Sequence, residues 1–300
     1  MTHPLYIGRF APSPTGPLHI GSLIGALASF LDAKASNGRW LVRMENIDPP
    51  REIAGADRRI LDTLHHHGLC WDGDVLEQST RSAAYESALA HLLDTGQAFR
   101  CSCSRRQLSQ FDGIHRGHCV TPEKTDDCAI RLRVPDHIWH AHDDLQQPLH
   151  QNLQQEVGDF ILKRRDGYYA YQLAVVVDDG YQGITHVVRG SDLWVSTPRQ
   201  RYLQSLLGLP APRYLHFPVI VGTDGHKLSK QTFAAPVENS RAIDNLLLAL
   251  HFLNQPLPDS RHSIDSLLLA AIKHWDRQRL PAVMGQPESA FYNHGEPLLP

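Results

Sequence analysis

Three groups of residues have the types and spacing to do chemistry. The first is the run Arg9-Phe10-Ala11-Pro12-Ser13-Pro14-Thr15-Gly16-Pro17-Leu18-His19-Ile20-Gly21-Ser22. Its proline-rich half cannot be helical, and an apolar stripe of helical period begins at Leu18, so the loop leads into a helix N-terminus. Such a turn offers unpaired N–H groups and a partial positive charge to a phosphate. His19 can donate a hydrogen bond to a phosphate oxygen as charge grows there. Gly21, lacking a Cβ, lets a base or ribose approach the backbone. The plainer alternative is a proline-punctuated loop with a solvent-facing histidine.

The second group is Gly222-Thr223-Asp224-Gly225-His226-Lys227-Leu228-Ser229-Lys230-Gln231. An Asp-Gly turn follows a strand-like run, and Lys227 and Lys230 flank a Leu-Ser pair. Two mobile ammonium groups at this spacing can neutralise a triphosphate and the charge of a five-coordinate phosphorus. Alone this is equally a solvated basic hairpin tip; beside the first group it points to nucleotide chemistry. The third group is Cys101-x-Cys103, followed by His115 and Cys119. Three thiolates and an imidazole satisfy tetrahedral zinc, with His118 a rival fourth ligand and ordinary thiols the alternative. No position is left for a catalytic water, so such a site is structural. His65 to His67 ends a helix, where cations suit the dipole, and His137, His140 and His142 suit a polar surface.

The elements that position these groups follow from periodicity. Leu5 to Phe10 is a strand, Ile20, Leu23, Ile24, Leu27, Phe30 and Leu31 form one helical stripe, and Arg39 to Glu45 is a strand. On that strand Trp40, Val42 and Met44 face one way and Leu41, Arg43 and Glu45 the other. The resulting βαβ unit implies an α/β fold with a parallel sheet and a ligand crevice at the strands' C-terminal ends. Helices are expected near Asp57 to His67 and from a Ser79–Thr80 cap to Gly96. Leu173 to Val177, Ile184 to Arg189 and Phe217 to Val221 are expected as strands. Thr197 as cap, Pro198 in the first turn and Gly208 as stop bound a helix. Two amphipathic helices are expected near Ser240 to Asn254 and Ser263 to Arg279. The division expected is residues 1–100 and 161–235 as two halves of the α/β domain, 101–160 as an insertion bearing the cysteines, and 236–300 as a helical tail.

Composition excludes several classes. The 300 residues, 42% hydrophobic, can bury a full core. A net charge of −3 confines any nucleic-acid surface to a local patch. No signal-peptide pattern opens the chain and no apolar run reaches the roughly 18 residues of a membrane helix. Five cysteines without export signals argue against a disulfide framework, and a cytoplasmic location is expected.

His19-Ile20-Gly21-Ser22 and Lys227-Leu228-Ser229-Lys230 together resemble the two ATP signatures of class I aminoacyl-tRNA synthetases, and the longer run from Arg9 to Gly21 resembles the glutamyl branch. Arg43 to Asp48, Tyr169 to Ala174 with Asp178-Asp179, and Gly183 to Arg189 extend the resemblance over about residues 5 to 235. It implies a Rossmann-type catalytic domain in which Arg9, Ala11, Ser13, Glu45, Tyr171 and Arg189 form a glutamate pocket. It further implies that His19, Gly21, Lys227 and Lys230 serve ATP with Mg²⁺, and it supports zinc on Cys101, Cys103, His115 and Cys119. The chemistry agrees. A γ-carboxylate suits a planar cation, Arg9 or Arg189; an ammonium suits Glu45; Tyr171 can close the pocket. Arg189 as a surface ion pair and Tyr171 as core packing are the alternatives. Asn46 stands where the family more often has a second acid, Val175 where it typically has a polar residue, and Leu228 replaces a methionine.

Residues 231 to 300 have room for two or three helices, and no anticodon-binding domain is expected there. The pattern therefore resembles the truncated glutamyl paralogues that pass glutamate to queuosine at the wobble position of tRNA(Asp). Such an enzyme takes the anticodon loop into its own active site, with Lys163, Arg164, Arg165, Arg199 and Arg201 as candidate phosphate contacts or solvated charges. A monomer is expected. The alternatives are a short glutamyl-tRNA synthetase charging the tRNA 3′ end, a nucleotidylyltransferase acting on a small molecule, and an inactive RNA-binding relative.

Overall fold

The computed structural model describes residues 5–117, 119, 128–222, 236–258, 262–293 and 296–297. The strands are β1 (Ile7–Phe10), β2 (Arg39–Met44), β3 (Leu76–Glu77), β4 (Ala98–Cys101), β5 (Ala129–Leu132), β6 (Ile138–Ala141), β7 (Leu149–Asn152), β8 (Ile161–Lys163), β9 (His186–Gly190), β10 (Arg213–Phe217), β11 (Val219–Val221) and β12 (Gly285–Pro287). The helices are α1 (Ile20–Ala35), α2 (Ala56–His66), α3 (Ser82–Asp94), α4 (Arg105–Leu108), α5 (Leu153–Glu156), α6 (Tyr171–Tyr181), α7 (Thr197–Leu206), α8 (Ala242–Phe252) and α9 (Ile264–His274).

β1, β2 and β3 pair in parallel in that order, and β9 pairs in parallel with β10. The two sets meet along β1, where Thr185, just before β9, donates its N–H to the Ile7 carbonyl at 2.9 Å. The spatial order is thus β3-β2-β1-β9-β10. Chain direction reverses its march across the sheet between β1 and β9, and that is where an α/β sheet leaves a crevice. The α/β class with a parallel sheet is as the sequence implied.

Both faces of β2 are covered: Trp40, Leu41, Val42, Arg43 and Met44 are all buried. A parallel strand between two helical layers needs this, and it buries an arginine among hydrocarbons. One apolar cluster joins α1 to α8 and α9, and a second joins α3, α6 and α7 to the small antiparallel sheet β4-β5-β8. Residues between β4 and β8 also form the β6–β7 hairpin. The tail returns to the sheet: β12 pairs in parallel with β11, Val219 opposite Gly285.

Three local expectations are corrected. Leu173 to Val177 is not a strand but the middle of α6. The β-branched run suggests a strand, yet Leu173 to Val176 are all buried, so the helix needs no polar face there and periodicity carries no signal. Thr197 is the first residue of α7, not its cap; Ser196 holds that position, and the Thr197 hydroxyl is engaged elsewhere. Ser79 and Thr80 lie in a 3₁₀ turn before α3, whose cap position is Arg81.

Candidate active site

The first chemical run becomes a pinned loop. Pro12 accepts from the Glu45 amide at 2.9 Å and Pro14 from the Ile53 amide at 3.0 Å, fixing the loop over the end of β2. Gly16 has a φ of 138°, a conformation that L side chains rarely adopt. His19 caps α1: its Nδ1 accepts from the Ser22 amide at 3.4 Å, which leaves the proton on Nε2, 3.1 Å from the Ser22 hydroxyl. Gly21 matters first to this ring. A Cβ there would come within 3.1 Å of His19 Cε1, so the glycine keeps the imidazole in place.

Gly222 ends the described part of the strand side of the second motif, and Pro236 begins the chain again in a bridge to His19, with Val237 donating to the Leu18 carbonyl at 3.0 Å. The chain on either side of the second motif is thus fixed, one end at β11 and the other beside His19. Lys227, Leu228 and Lys230 themselves lie outside the described residues.

The amino-acid residues converge at the crevice. Arg9 is the last but one residue of β1 and Arg189 of β9, on opposite sides of the reversal point, and both are buried. Arg9 Nε donates to Asp179 at 3.2 Å. Arg43, fully buried on β2, donates to Asp179 at 2.8 Å, to Gln182 at 2.8 Å and to Glu45 at 3.3 Å. Burial alone would raise the Asp179 carboxyl, but Arg9 and Arg43 hold it below its usual range. Glu45 is the reverse case: burial raises it more than Arg43 and Arg9 lower it. Its second oxygen takes no hydrogen bond among the described residues, so an arriving ammonium finds an acceptor there.

Tyr171 opens α6, with Val175 and Asp179 one and two turns further along the same face. Burial raises the Tyr171 hydroxyl, and Arg189, Glu45 and Arg9 all act on it electrostatically, so these four lie close together. Val175 is buried in the apolar cluster beside them. Ala11 is partly buried and Ser13 is exposed on the loop. Asn46 does not face the crevice alone; its amide exchanges two hydrogen bonds with Ser79, at 2.9 and 3.0 Å.

Arg189 is neither exposed nor salt-bridged among the described residues. It donates to His216 Nε2 at 2.8 Å, Gln200 at 2.8 Å, the Thr197 hydroxyl at 3.0 Å and the Leu193 carbonyl at 3.3 Å. All four partners are neutral. A buried guanidinium with no carboxylate among its described partners can receive an anionic group of a ligand.

The third group also assembles. The ligand atoms of Cys101, Cys103, His115 and Cys119 all lie within 4.8 Å of one another. A tetrahedron with Zn–S near 2.3 Å has edges of about 3.8 Å, so the cluster fits zinc after small movements. His115 Nδ1 hydrogen-bonds Asp159 at 2.8 Å, while its buried Nε2, beside the Cys101 thiol, has no nitrogen or oxygen partner among the described residues, the arrangement of a ligand with its lone pair toward a metal. Burial, with Cys101 and Cys103 beside it, pushes the Cys119 thiol up to about 12. A divalent cation would relieve that crowding. His118 lies outside the described residues.

Among the candidate phosphate contacts, Lys163 pairs with Glu86 at 3.1 Å and Arg164 with Asp48 at 3.1 Å. Arg165 donates to the Ser102 carbonyl at 2.7 Å and Arg201 to the His140 carbonyl at 3.1 Å. Arg199 is half-buried; burial lowers it, Tyr171 lies close enough to act on it, and its Nε is buried without a partner among the described residues.

The family described as tRNA synthetases class I (E and Q), catalytic domain, matches residues 7–251. A glutamyl-Q tRNA(Asp) synthetase of Pseudomonas paraeruginosa is 52% identical over 289 residues, covering 95% of this chain and 99% of that protein. One from Ectopseudomonas mendocina is 53% identical over 279 residues, covering 92% and 95%. The chain belongs to the glutamyl-Q tRNA(Asp) synthetase family. Among solved structures, a glutamate tRNA ligase from Elizabethkingia meningosepticum in complex with its amino acid superposes with a TM-score of 0.79 at 24% identity, over 95% of this chain and 67% of that one. Glutamate-tRNA synthetase from Elizabethkingia anophelis gives 0.81 at 23%, over 96% and 68%. These two establish the class I synthetase fold for this family member.

Several residues of the site carry little signal in the sequence: Arg43 and Asp179 have no role assigned by it, and Gln200, His216, Asp143 and Asp159 are not marked by any motif. Arg43 carried a usable signal, since it shares a strand face with Glu45. Asp179 carried one only if α6 is known to be a helix, because its link to Tyr171 is helical spacing.

Proposed function

We propose that this chain joins L-glutamate to ATP as glutamyl-adenylate and passes the glutamyl group to queuosine at the wobble position of tRNA(Asp). The observation that carries the amino-acid half is that buried Arg189 has only neutral hydrogen-bond partners among the described residues. It can therefore pair with the side-chain carboxylate of glutamate, which the amide of glutamine cannot match. Arg189 takes a substrate carboxylate, Glu45 the ammonium, and Tyr171 closes the cavity, with Arg9, Ala11 and Ser13 on its rim. In the first step a carboxylate oxygen of glutamate attacks the α-phosphorus and pyrophosphate leaves. His19 Nε2–H, Gly21 and the lysines Lys227 and Lys230 steady the phosphates. Mg²⁺, carried in with ATP, supplies further charge neutralisation when bound. In the second step a queuosine hydroxyl attacks the activated carbonyl, AMP leaves, and the adenylate's own phosphate takes the proton.

Cys101, Cys103, His115 and Cys119 hold a structural zinc whose chemistry is to cross-link the insertion. The acceptor assignment is supported by near full-length similarity to relatives bearing that name. Arg199, with Lys163, Arg164, Arg165 and Arg201, supplies positive charge toward the anticodon loop. The enzyme works as a monomer in the cytoplasm; among the described residues no helix is long and apolar enough to cross a membrane. The deciding experiment follows labelled glutamate into tRNA(Asp) with and without queuosine, and then maps the label by nuclease digestion. Label confined to the queuosine-bearing anticodon fragment is expected. Equal labelling without queuosine, or label at the 3′ end, overturns the acceptor.

A further inference from the structure

Next to Arg189 lies a buried pair of side chains, His216 and Asp143. His216, on β10, accepts from Arg189 at Nε2 and contacts Asp143 through Nδ1 at 2.6 Å. A guanidinium Nε–H can only donate, so Nε2 must be the bare nitrogen and the single imidazole proton sits on Nδ1, toward Asp143. The Asp143 carboxylate is itself fixed by the amides of Leu145 and Gln146, at 2.9 and 2.8 Å, and by the His216 amide at 3.2 Å. Both side chains are fully buried. Asp143 belongs to the segment between β6 and β7, part of the insertion, whereas Arg189 belongs to the parallel sheet.

We infer that Asp143 and His216 are positioning residues for glutamate recognition: Asp143 sets the His216 tautomer, and His216 then holds Arg189 at the angle that meets the substrate carboxylate. The inference rests on the reading that Arg189 binds that carboxylate. The physical requirement is strict. With the proton moved to Nε2, two N–H groups would face each other across the 2.8 Å contact, and Arg189 would have to swing away. Burial, together with the Arg189 charge, also drives His216 down to about 4, so it stays neutral under working conditions. The insertion thereby reaches Arg189 through the His216 imidazole.

The test uses glutamate-dependent ATP–pyrophosphate exchange on the full chain, with Arg189→Gln, His216→Ala, His216→Gln and Asp143→Asn. His216→Ala and Asp143→Asn are expected to raise the glutamate KM about tenfold or more while the ATP KM and kcat stay within about threefold. His216→Gln, whose Oε1 restores an acceptor for Arg189, is expected to recover most of that loss. A purely structural role would instead move kcat and both KM values together and show no such recovery. If His216→Ala and Asp143→Asn leave the glutamate KM unchanged while Arg189→Gln raises it, the positioning role fails and the pocket stands. An unchanged KM in Arg189→Gln removes the pocket reading itself. Should the variants misfold, nitrogen-15 shifts of the His216 ring in the unsubstituted protein decide: a proton on Nδ1 is expected, and one on Nε2 overturns the inference.

Discussion

At the scale of single residues, the site is governed by which buried groups are allowed to be charged. His216 faces Asp143 and Asp192, which attract a proton, and Arg189, which repels one, and it packs against Trp194 and Tyr214. Burial decides the balance and holds it near 4, below the ordinary 6.5. Below pH 6.5 the unfolded chain therefore takes up a proton that the folded chain refuses. Stability conferred by neutral His216 is complete above 6.5 and is lost as pH falls toward 4. Denaturant melts across that window should show a steeper acid decline for the parent than for His216→Gln. The metal cluster gives a second residue-scale expectation. Asp159 accepts from His115, Gly117 and Val134, so Asp159→Asn should lower zinc affinity by roughly 10- to 100-fold while leaving all four ligands in place, measured by competition with a chromogenic chelator.

At the scale of elements, α6 does the most. One of its buried acids, Asp179, joins β1 to β2 through Arg9 and Arg43; the other, Asp178, joins the helix to α3 by accepting from Gln78, Arg81 and Tyr85. Asp178→Ala would strand three donors, one of them a guanidinium, and should cost about 3 kcal/mol in chemical denaturation. The same helix marks the limit of what the sequence discloses. β1, α1 and β2 announce themselves by period, and the ATP run by its prolines and HxG spacing, because each has one wet face or a turn that only certain residues can make. α6 is buried nearly all round, so its Val175-Val176-Val177 run imitates a strand, and the partners of its two acids come from distant segments. Zinc ligands separated by short spacings were visible. Asp159, which contacts His115 from beyond three intervening strands, was not. The same holds for His216 and Asp143, whose roles exist only through a contact 73 positions apart.

At the scale of the whole molecule, three separately recognisable stretches are tied by charges as well as by the apolar cluster that joins α1 to α8 and α9. Arg277, in the tail, grips the buried Asp32 of α1 with two hydrogen bonds, at 2.6 and 2.7 Å, and reaches Asp144 of the insertion at 3.1 Å. Asp144 in turn accepts from Arg213 of β10 at 2.9 Å. The tail is thus a bracket across the catalytic sheet and its insertion, not an appendage. The pairing of β12 with β11 gives that bracket a second purpose. The strand that hands the chain to Gly222, and so to Lys227 and Lys230, has residues 285 to 287 as its neighbour. Those residues splint the strand that leads to the two lysines proposed to serve ATP, from the opposite end of the chain. A protein stopped after Val283 should show a raised ATP KM and, having lost buried Phe291 from the main core, a lower thermal melt. One nicked there by protease keeps Phe291 and should show mainly the raised ATP KM. Tags, fusions and cleavage sites placed near that point would then act as unintended inhibitors of adenylation.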